Sequence, residues 1–341
     1  MDRLVIVTPA LAAANNGNWQ TAQRWARLLR RHYRVRLTDA WDGGDEALMI
    51  ALHARRSAAS VAAWRAQHGS RPLVLVLTGT DLYRDIADEA SAQASLQLAD
   101  RLVVLNELGL QQLPKALRSK ALVLLQSCRA RTPRPKPQRH LRTLMVGHLR
   151  DEKSPQTYFA AARRLLARTD IHLDHIGQGL DPALATEARA LMQAQPRYRW
   201  LGALPHAATR ERIAAAHVLV HASRMEGGAH VVIEAVTSGT PVLASRIDGN
   251  LGLLGADYPG TFAWGDDAGL AALIGRARDD PAMLVGLRAA CDARAPLFAP
   301  DREQLALLAL VSGLLRAGRC PPGSFLFLPV SSRHSPPDTS S

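Results

Sequence analysis

The feature that most constrains this chain is a twice-repeated alternation of short Val-, Ile- and Leu-rich runs with longer amphipathic stretches. Runs that are apolar on both faces fit strands of a parallel sheet covered by helices on both sides. The first set predicts strands at Leu4–Thr8, Val35–Thr38, Leu48–Leu52, Leu73–Thr78, Leu102–Leu105 and Ala121–Leu125. Helices are expected at Trp19–Arg31, Ser57–Gln67, Leu82–Leu98 and Glu107–Leu113. From Ser127 to Arg142 the pattern stops. Pro133, Pro135 and Pro137 interleave with Arg129, Arg131, Arg134, Lys136, Arg139 and Arg142, with no acid among them, which reads as an exposed linker. A second set follows, with strands at Thr143–Val146, His172–Ile176, Arg199–Leu201, Val218–His221 and Pro241–Ala244. Its helices are expected near Pro155–Ala167, Pro182–Gln193, Thr209–Ala215 and His230–Ser238. Further helices at Ala268–Arg278, Pro281–Ala293 and Asp301–Leu315 close the second domain. The expectation is an α/β chain of two Rossmann-like domains facing across a cleft: residues 1–126, a linker over 127–142, residues 143–315, and a disordered tail over 316–341.

Composition narrows the function. Forty-two Lys and Arg against thirty Asp and Glu leave a formal charge of +12, which suits a polyanionic partner. Six of those positive charges sit in the linker, and aromatic residues make up only 5%. Both facts argue against a nucleic-acid-binding face built on stacking. The three cysteines, Cys128, Cys291 and Cys320, are far apart and lack CxxC spacing, so neither a disulfide framework nor a zinc site is expected. His172 with His175, and His217 with His221, lack a third convergent ligand. No apolar stretch approaches the ~20 residues of a membrane span, and no signal-peptide core follows Met1. The reading is a cytoplasmic protein without a metal or cofactor; its oligomeric state is left open.

In open α/β sheets ligands bind in the loops beyond the strand carboxyl ends. No GxGxxG follows the first strand and no GxxxxGK[ST] occurs, so dehydrogenase and Walker-type NTPase readings lose their basis. The most informative segment runs from Ala222 through Ser223, Arg224, Met225, Glu226, Gly227, Gly228, Ala229 and His230 to Glu234, followed by Ser238-Gly239-Thr240-Pro241-Val242. Glycines at a helix start leave backbone N–H groups open to an anion such as a diphosphate. Carboxylates at Glu226 and Glu234 can accept charge-assisted hydrogen bonds from sugar hydroxyls.

This segment resembles the E-x7-E signature of family 4 glycosyltransferases, two-domain GT-B enzymes that use nucleotide-activated sugars. The resemblance implies that Glu226 touches the donor sugar, Gly227 and Gly228 the sugar and diphosphate, and Glu234 the ribose. Arg224, Ala229 and His230 would complete the donor site. Val146-Gly147-His148-Leu149-Arg150-Asp151-Glu152-Lys153 is similar to the family's G-R-L-x-x-x-K stretch, whose basic residues neutralise the leaving diphosphate. Lys153 carries over directly. His148 stands where the family has Arg, and Arg150 can supply a guanidinium instead. Glu226, Lys153 and Arg150 are thus the expected catalytic residues. Gly228, Ala229 and His230 depart from the usual aromatic, Gly and aliphatic residues, which implies a specialised site. No D-x-D occurs in the chain, so basic residues rather than a metal are expected to hold the diphosphate.

Three loops of the first domain stand out as the acceptor wall. Asn15-Asn16-Gly17-Asn18-Trp19 resembles the family's glycine loop, with Gly17 toward the donor and Asn16 and Asn18 toward the acceptor. His53-Ala54-Arg55-Arg56-Ser57 reads as a compact anion cradle beside a helix start. Thr78-Gly79-Thr80-Asp81 adds Thr80 and Asp81. Together with Ser223–His230 these loops resemble the selenosugar synthases of selenoneine biosynthesis, from Leu4 to about Leu315. Those enzymes join selenophosphate to the anomeric carbon of UDP-N-acetylglucosamine, releasing UDP and phosphate. The implied partners are a UDP-sugar and selenophosphate. An ionised selenium nucleophile needs no general base, in keeping with the lack of an evident His–carboxylate dyad. The alternative is ordinary glycosyl transfer to a hydroxyl acceptor.

Overall fold

The computed structural model describes residues 1–11 and 17–317; Asn16 and the expected tail from residue 318 onward lie outside them. The first sheet contains β1 (Arg3–Val7), β2 (Arg34–Thr38), β3 (Leu48–Leu52), β4 (Leu73–Leu77), β5 (Arg101–Val104) and β6 (Ala121–Val123). Its spatial order is β2-β1-β3-β4-β5-β6 with every neighbouring pair parallel. Along β1 the residues alternate between two cores, Val5 and Val7 on one face and Leu4 and Ile6 on the other. Both faces are therefore covered. The covering helices are α1 (Gly17–Leu29), α2 (Ala58–Gln67), α3 (Ile86–Asp88) and α4 (Ala90–Leu98).

The second sheet contains β7 (Leu141–Val146), β8 (Ile171–Ile176), β9 (Tyr198–Trp200), β10 (Val218–His221), β11 (Val242–Ser245) and β12 (Thr261–Phe262), in the order β12-β11-β10-β7-β8-β9 and again parallel throughout. Its helices are α5 (Pro155–Arg164), α6 (Pro182–Ala194), α7 (His206–Ala215), α8 (His230–Val236), α9 (Asp248–Leu254), α10 (Asp267–Asp279) and α11 (Pro281–Arg294); α12 (Pro300–Ala317) follows. Several helix starts follow from sequence. Asp181 and Asp280 precede a proline at the first helical position, and each accepts backbone N–H bonds from the following turn. Two parallel sheets with this covering match the expected two Rossmann-like halves.

The helix expected over Leu82–Leu98 is interrupted. A π-helical turn over Asp81–Asp85 leads into α3, and Glu89, in an extended conformation, separates α3 from α4. Glu107–Leu113 forms a 3-10 turn rather than an α-helix, with Gly109 inside it and Pro114 just after. Helix α9 and strand β12 were not foreseen. Gly249 and Gly252 give α9 the composition of a loop, but their missing side chains let it press against the Glu226 carbonyl and Asn106.

Helix α12 corrects the domain expectation. Leu307, Val311 and Leu315 join the core formed by Leu4, Ile6 and Trp25, so the last helix returns to the first sheet. Glu303, 2% exposed, fixes the return. It accepts bonds from Trp25 Nε1 at 2.8 Å, Arg24 Nε at 3.1 Å, and Ser127 N and Oγ at 2.9 and 2.5 Å. One carboxylate thus ties α1, the head of the connector and α12. The connector is exposed over much of its length, but Arg131 and Arg134 both pair with Glu211 of α7. Glu303→Ala leaves buried donors unpaired and is expected to cost about 3–5 kcal/mol. Denaturant unfolding measures this, and a loss below about 1 kcal/mol would contradict the tie.

Candidate active site

In the second sheet β7 lies at the topological switch point: β8 flanks one side and β10 the other. The loops leaving β7 and β10 therefore diverge and open a crevice. The β7 loop carries Gly147 to Lys153, and the β10 loop carries Ala222 to Ala229. They meet where Lys153 Nζ donates to Glu226 Oε1 at 2.5 Å. His221, the last residue of β10, places Nε2 3.4 Å from the same oxygen and 3.3 Å from Ser223 Oγ. Burial pushes the Glu226 carboxyl up, but Lys153 and His221 outweigh it and hold the group well below the usual carboxylate range. Glu226 is ionised at neutral pH.

The Lys153 stem lies across Gly147, where an added Cβ would stand 3.4 Å from its Cγ. His148 Nδ1 accepts from Gln178 N at 3.1 Å. Burial, then the charges of Arg150 and Lys153, lower its pKa, so His148 is neutral where the family pattern has a permanent cation. Arg150 is exposed, 3.8 Å from Glu152. The Arg224 amide bonds Glu152 O at 2.9 Å, and its guanidinium stacks 5.2 Å over Trp264. Lys153, Arg150 and Arg224 thus belong to one loop cluster. Below it, fully buried His175 bridges Gly147 O at 3.2 Å and Tyr198 OH at 3.1 Å.

Glu234 lies one turn into α8 and is 4% exposed. His206 Nε2 stands 2.5 Å from its Oε1, and His230 Nε2 3.7 Å. Gly227 and Gly228 occupy a place the sequence did not suggest. A Cβ on Gly227 would overlap the Thr78 carbonyl group, and one on Gly228 would press on Leu105. Gly227 O accepts from Asn106 Nδ2 at 2.8 Å. These glycines are therefore where the two domains touch.

The first sheet has its own switch point between β1 and β3, and His53 to Arg56 leave β3 there. His53 holds φ at +74°, uncommon for a residue with a side chain. Its Nε2 meets Thr80 Oγ1 at 3.0 Å. Burial lowers the His53 pKa against the pull of Asp81. Asp81 corrects the acceptor expectation: it is completely buried and accepts from the amides of Thr78, Gly79 and Ala54 at 2.9, 2.8 and 3.0 Å. It braces the two loops and has no face for a ligand. Arg55 is likewise engaged, with Nε 2.8 Å from Asp85 and Nη1 3.9 Å from Glu89. Arg56 is exposed and has no acidic partner among the described residues. Gly17 opens α1 with Asn18 next to it, while Asn16 lies outside the described residues.

With this geometry in place, the chain is a member of the glycosyl transferases group 1 family, whose model matches residues 126–296. No curated protein sequence matches significantly. Among solved structures, it is similar to sucrose-phosphate synthase of Thermosynechococcus elongatus, with TM-score 0.76 and 18% identity over 93% of this chain and all of that one. It is similar to Anabaena HepE in complex with UDP and glucose, with TM-score 0.73 and 14% identity over 92% of this chain and all of that one. It is also similar to the pneumococcal O-GlcNAc transferase GtfA in complex with UDP and GlcNAc, with TM-score 0.62 and 15% identity over 79% of this chain and 57% of that one. The fold is GT-B. No helix of the described residues is long and apolar enough to cross a membrane.

Sequence reasoning missed His221, His206, Asn106 and Trp264. His221 had a usable signal, since it ends a strand directly before the signature loop. The others converge only through the fold. His175 yields a prediction about pH. Burial lowers its pKa from 6.5 to about 4, so between these values the unfolded chain binds a proton that the folded chain refuses. Its contribution to stability is therefore full above pH 6.5 and falls as the pH drops toward 4. His175→Gln should flatten the stability–pH curve in that window, as read by denaturant midpoints. An unchanged slope would contradict the assignment.

Proposed function

We propose that this chain transfers the sugar of a UDP-sugar, N-acetylglucosamine above others, to selenophosphate. Membership in the glycosyltransferase family supports the reaction type, and the neighbours solved with UDP support the nucleotide. The observation that carries the donor half is the Lys153–Glu226 pair at the switch point. In this reading Glu226 receives sugar hydroxyls, and Lys153, Arg150 and Arg224 offset the diphosphate charge as it leaves. Gly147 leaves room for the donor beside His148. Gly227 and Gly228 contribute backbone at the seam with the first domain, and Glu234 with Ala229 and His230 takes the ribose while Gly17 closes the donor side. No metal takes part, because the cations in these loops supply the charge that a D-x-D metal site would provide.

The acceptor half rests on Arg56, exposed beside His53 at the first domain's switch point. A dianion entering beside a diphosphate meets strong repulsion, which an unpaired guanidinium relieves. His53, Thr80 and Asn18 complete that wall, with Arg55 held against Asp85 as its support. The anomeric C–O bond to UDP breaks as the C–Se bond forms. Water then cleaves the P–Se bond, giving phosphate and a 1-seleno sugar. A second reading, transfer to a hydroxyl acceptor, is favoured by the engagement of Arg55, which leaves one free guanidinium where two were expected.

Two sets of variants test these assignments. Lys153→Ala and Glu234→Ala should each weaken UDP binding about 10–100-fold, as loss of a charge-assisted contact implies. Unchanged UDP titrations would remove the donor assignment. Arg56→Ala should raise the KM for selenophosphate at least about tenfold, ~1.4 kcal/mol, while leaving UDP affinity intact. Normal selenophosphate kinetics in that variant would favour the hydroxyl acceptor.

A further inference from the structure

At the proposed ribose position, His230 and Glu234 lie beside Cys128, a thiol that glycosyl transfer leaves unused. Cys128 is the second residue of the connector, His230 opens α8, and Glu234 follows one turn later on the same helix face. One ligand atom from each, a sulfur, a ring nitrogen and a carboxylate oxygen, lies within 4.8 Å of the others. We infer that Cys128, His230 and Glu234 form a binding site for a borderline-soft divalent cation, Zn2+ foremost, that competes with the nucleotide for Glu234. The competition rests on the donor reading above; the binding of the ion does not.

Three features favour the ion. Donors bonded to zinc at about 2.0–2.3 Å stand roughly 3.3–3.8 Å apart around a tetrahedron, so the three groups need to close by only about an ångström. The Nε2 of His230 stands 3.7 Å from Glu234 Oε1, and its buried Nδ1 has no hydrogen-bond partner, so no competing bond from Nδ1 fixes the ring. A fourth ligand is near: His206 is exposed, and its Nε2, hydrogen-bonded to the Glu234 oxygen at 2.5 Å, need only draw back by about an ångström to share the ion. A thiolate and a carboxylate together neutralise a dication. Burial raises the Cys128 thiol pKa, and Arg210, which contacts Sγ and bonds Arg129 O at 3.1 Å and Ser238 Oγ at 3.2 Å, partly opposes that shift; the ion takes its place at the sulfur. The mixed S, N and O set selects zinc over magnesium or calcium, which prefer oxygen alone. The thiol proton leaves as the ion binds. Such an ion would inhibit, since Glu234 cannot serve metal and ribose together.

Cobalt(II) is the probe. Titrated into the full chain, reduced with a non-thiol reductant and freed of metal, it should produce a thiolate-to-cobalt charge-transfer band that saturates at one ion per chain and disappears on adding Zn2+. Cys128→Ser should abolish the band while keeping UDP affinity, and His230→Gln should weaken cobalt binding about tenfold or more. UDP should raise the apparent cobalt Kd of the wild type. No band, or a band that persists in Cys128→Ser, overturns the site. Cobalt binding through Cys128 that UDP leaves unchanged upholds the site and removes Glu234 from the ribose.

Discussion

The pair between Lys153 and Glu226 is the interaction on which the proposed donor site depends. An unpaired carboxylate this sheltered is costly, and it stays charged because an ammonium and an imidazole face it. The pair in turn requires that β7 and β10 be neighbours, which only the crossover order of the second sheet provides. Residues 73 positions apart in the chain meet because their strands lie side by side. Once Glu226 is fixed, its loop is fixed too, and that loop carries Gly227 to the first domain.

The domains consequently touch at two places of different character. At the cleft, Gly227 lies on Thr78 and Asn106 holds its carbonyl. Around it Gln112 bonds Asp248 at 2.6 Å, and Arg294 pairs with Glu107 at 2.8 Å. Gln112 with Asp248 is exposed and Arg294 with Glu107 partly so, whereas Asn106 and its bond to Gly227 are buried. At the other place α12 buries Leu307, Val311 and Leu315 in the first core and Glu303 binds the connector. Parting the cleft breaks a few hydrogen bonds, whereas displacing α12 exposes a hydrophobic face. The returning helix is therefore the apolar joint between the two halves, and the cleft contact is the polar one.

Much of this was legible in the sequence, for a physical reason. Parallel strands buried on both faces write continuous apolar runs such as Leu48–Leu52 and Leu73–Leu77, so both sheets could be read almost strand by strand. The spacing of Glu226 and Glu234 and the position of Lys153 survive as one-dimensional patterns because Glu226 and Lys153 lie in segments directly after a strand and Glu234 in the helix that follows. What failed was anything set by neighbours distant in sequence. Asp81 and Arg55 look like ligands in a string of polar residues, but Asp81 is consumed by three backbone amides and Arg55 by Asp85. Gly227 and Gly228 read as an open anion site, while the adjacent domain uses their missing side chains. The return of α12 is invisible because an apolar stripe does not name its core, and the partners of Leu307, Val311 and Glu303 lie far away in sequence.

The most direct test of the account is product analysis by mass spectrometry. The purified chain is given UDP-N-acetylglucosamine together with selenophosphate, and in parallel with sugar hydroxyl acceptors. The account predicts a one-sugar product carrying the selenium isotope pattern, formed with UDP and phosphate only when both substrates are present. A selenium-free glycoside from the hydroxyl acceptors, with selenophosphate left unconsumed, would contradict it.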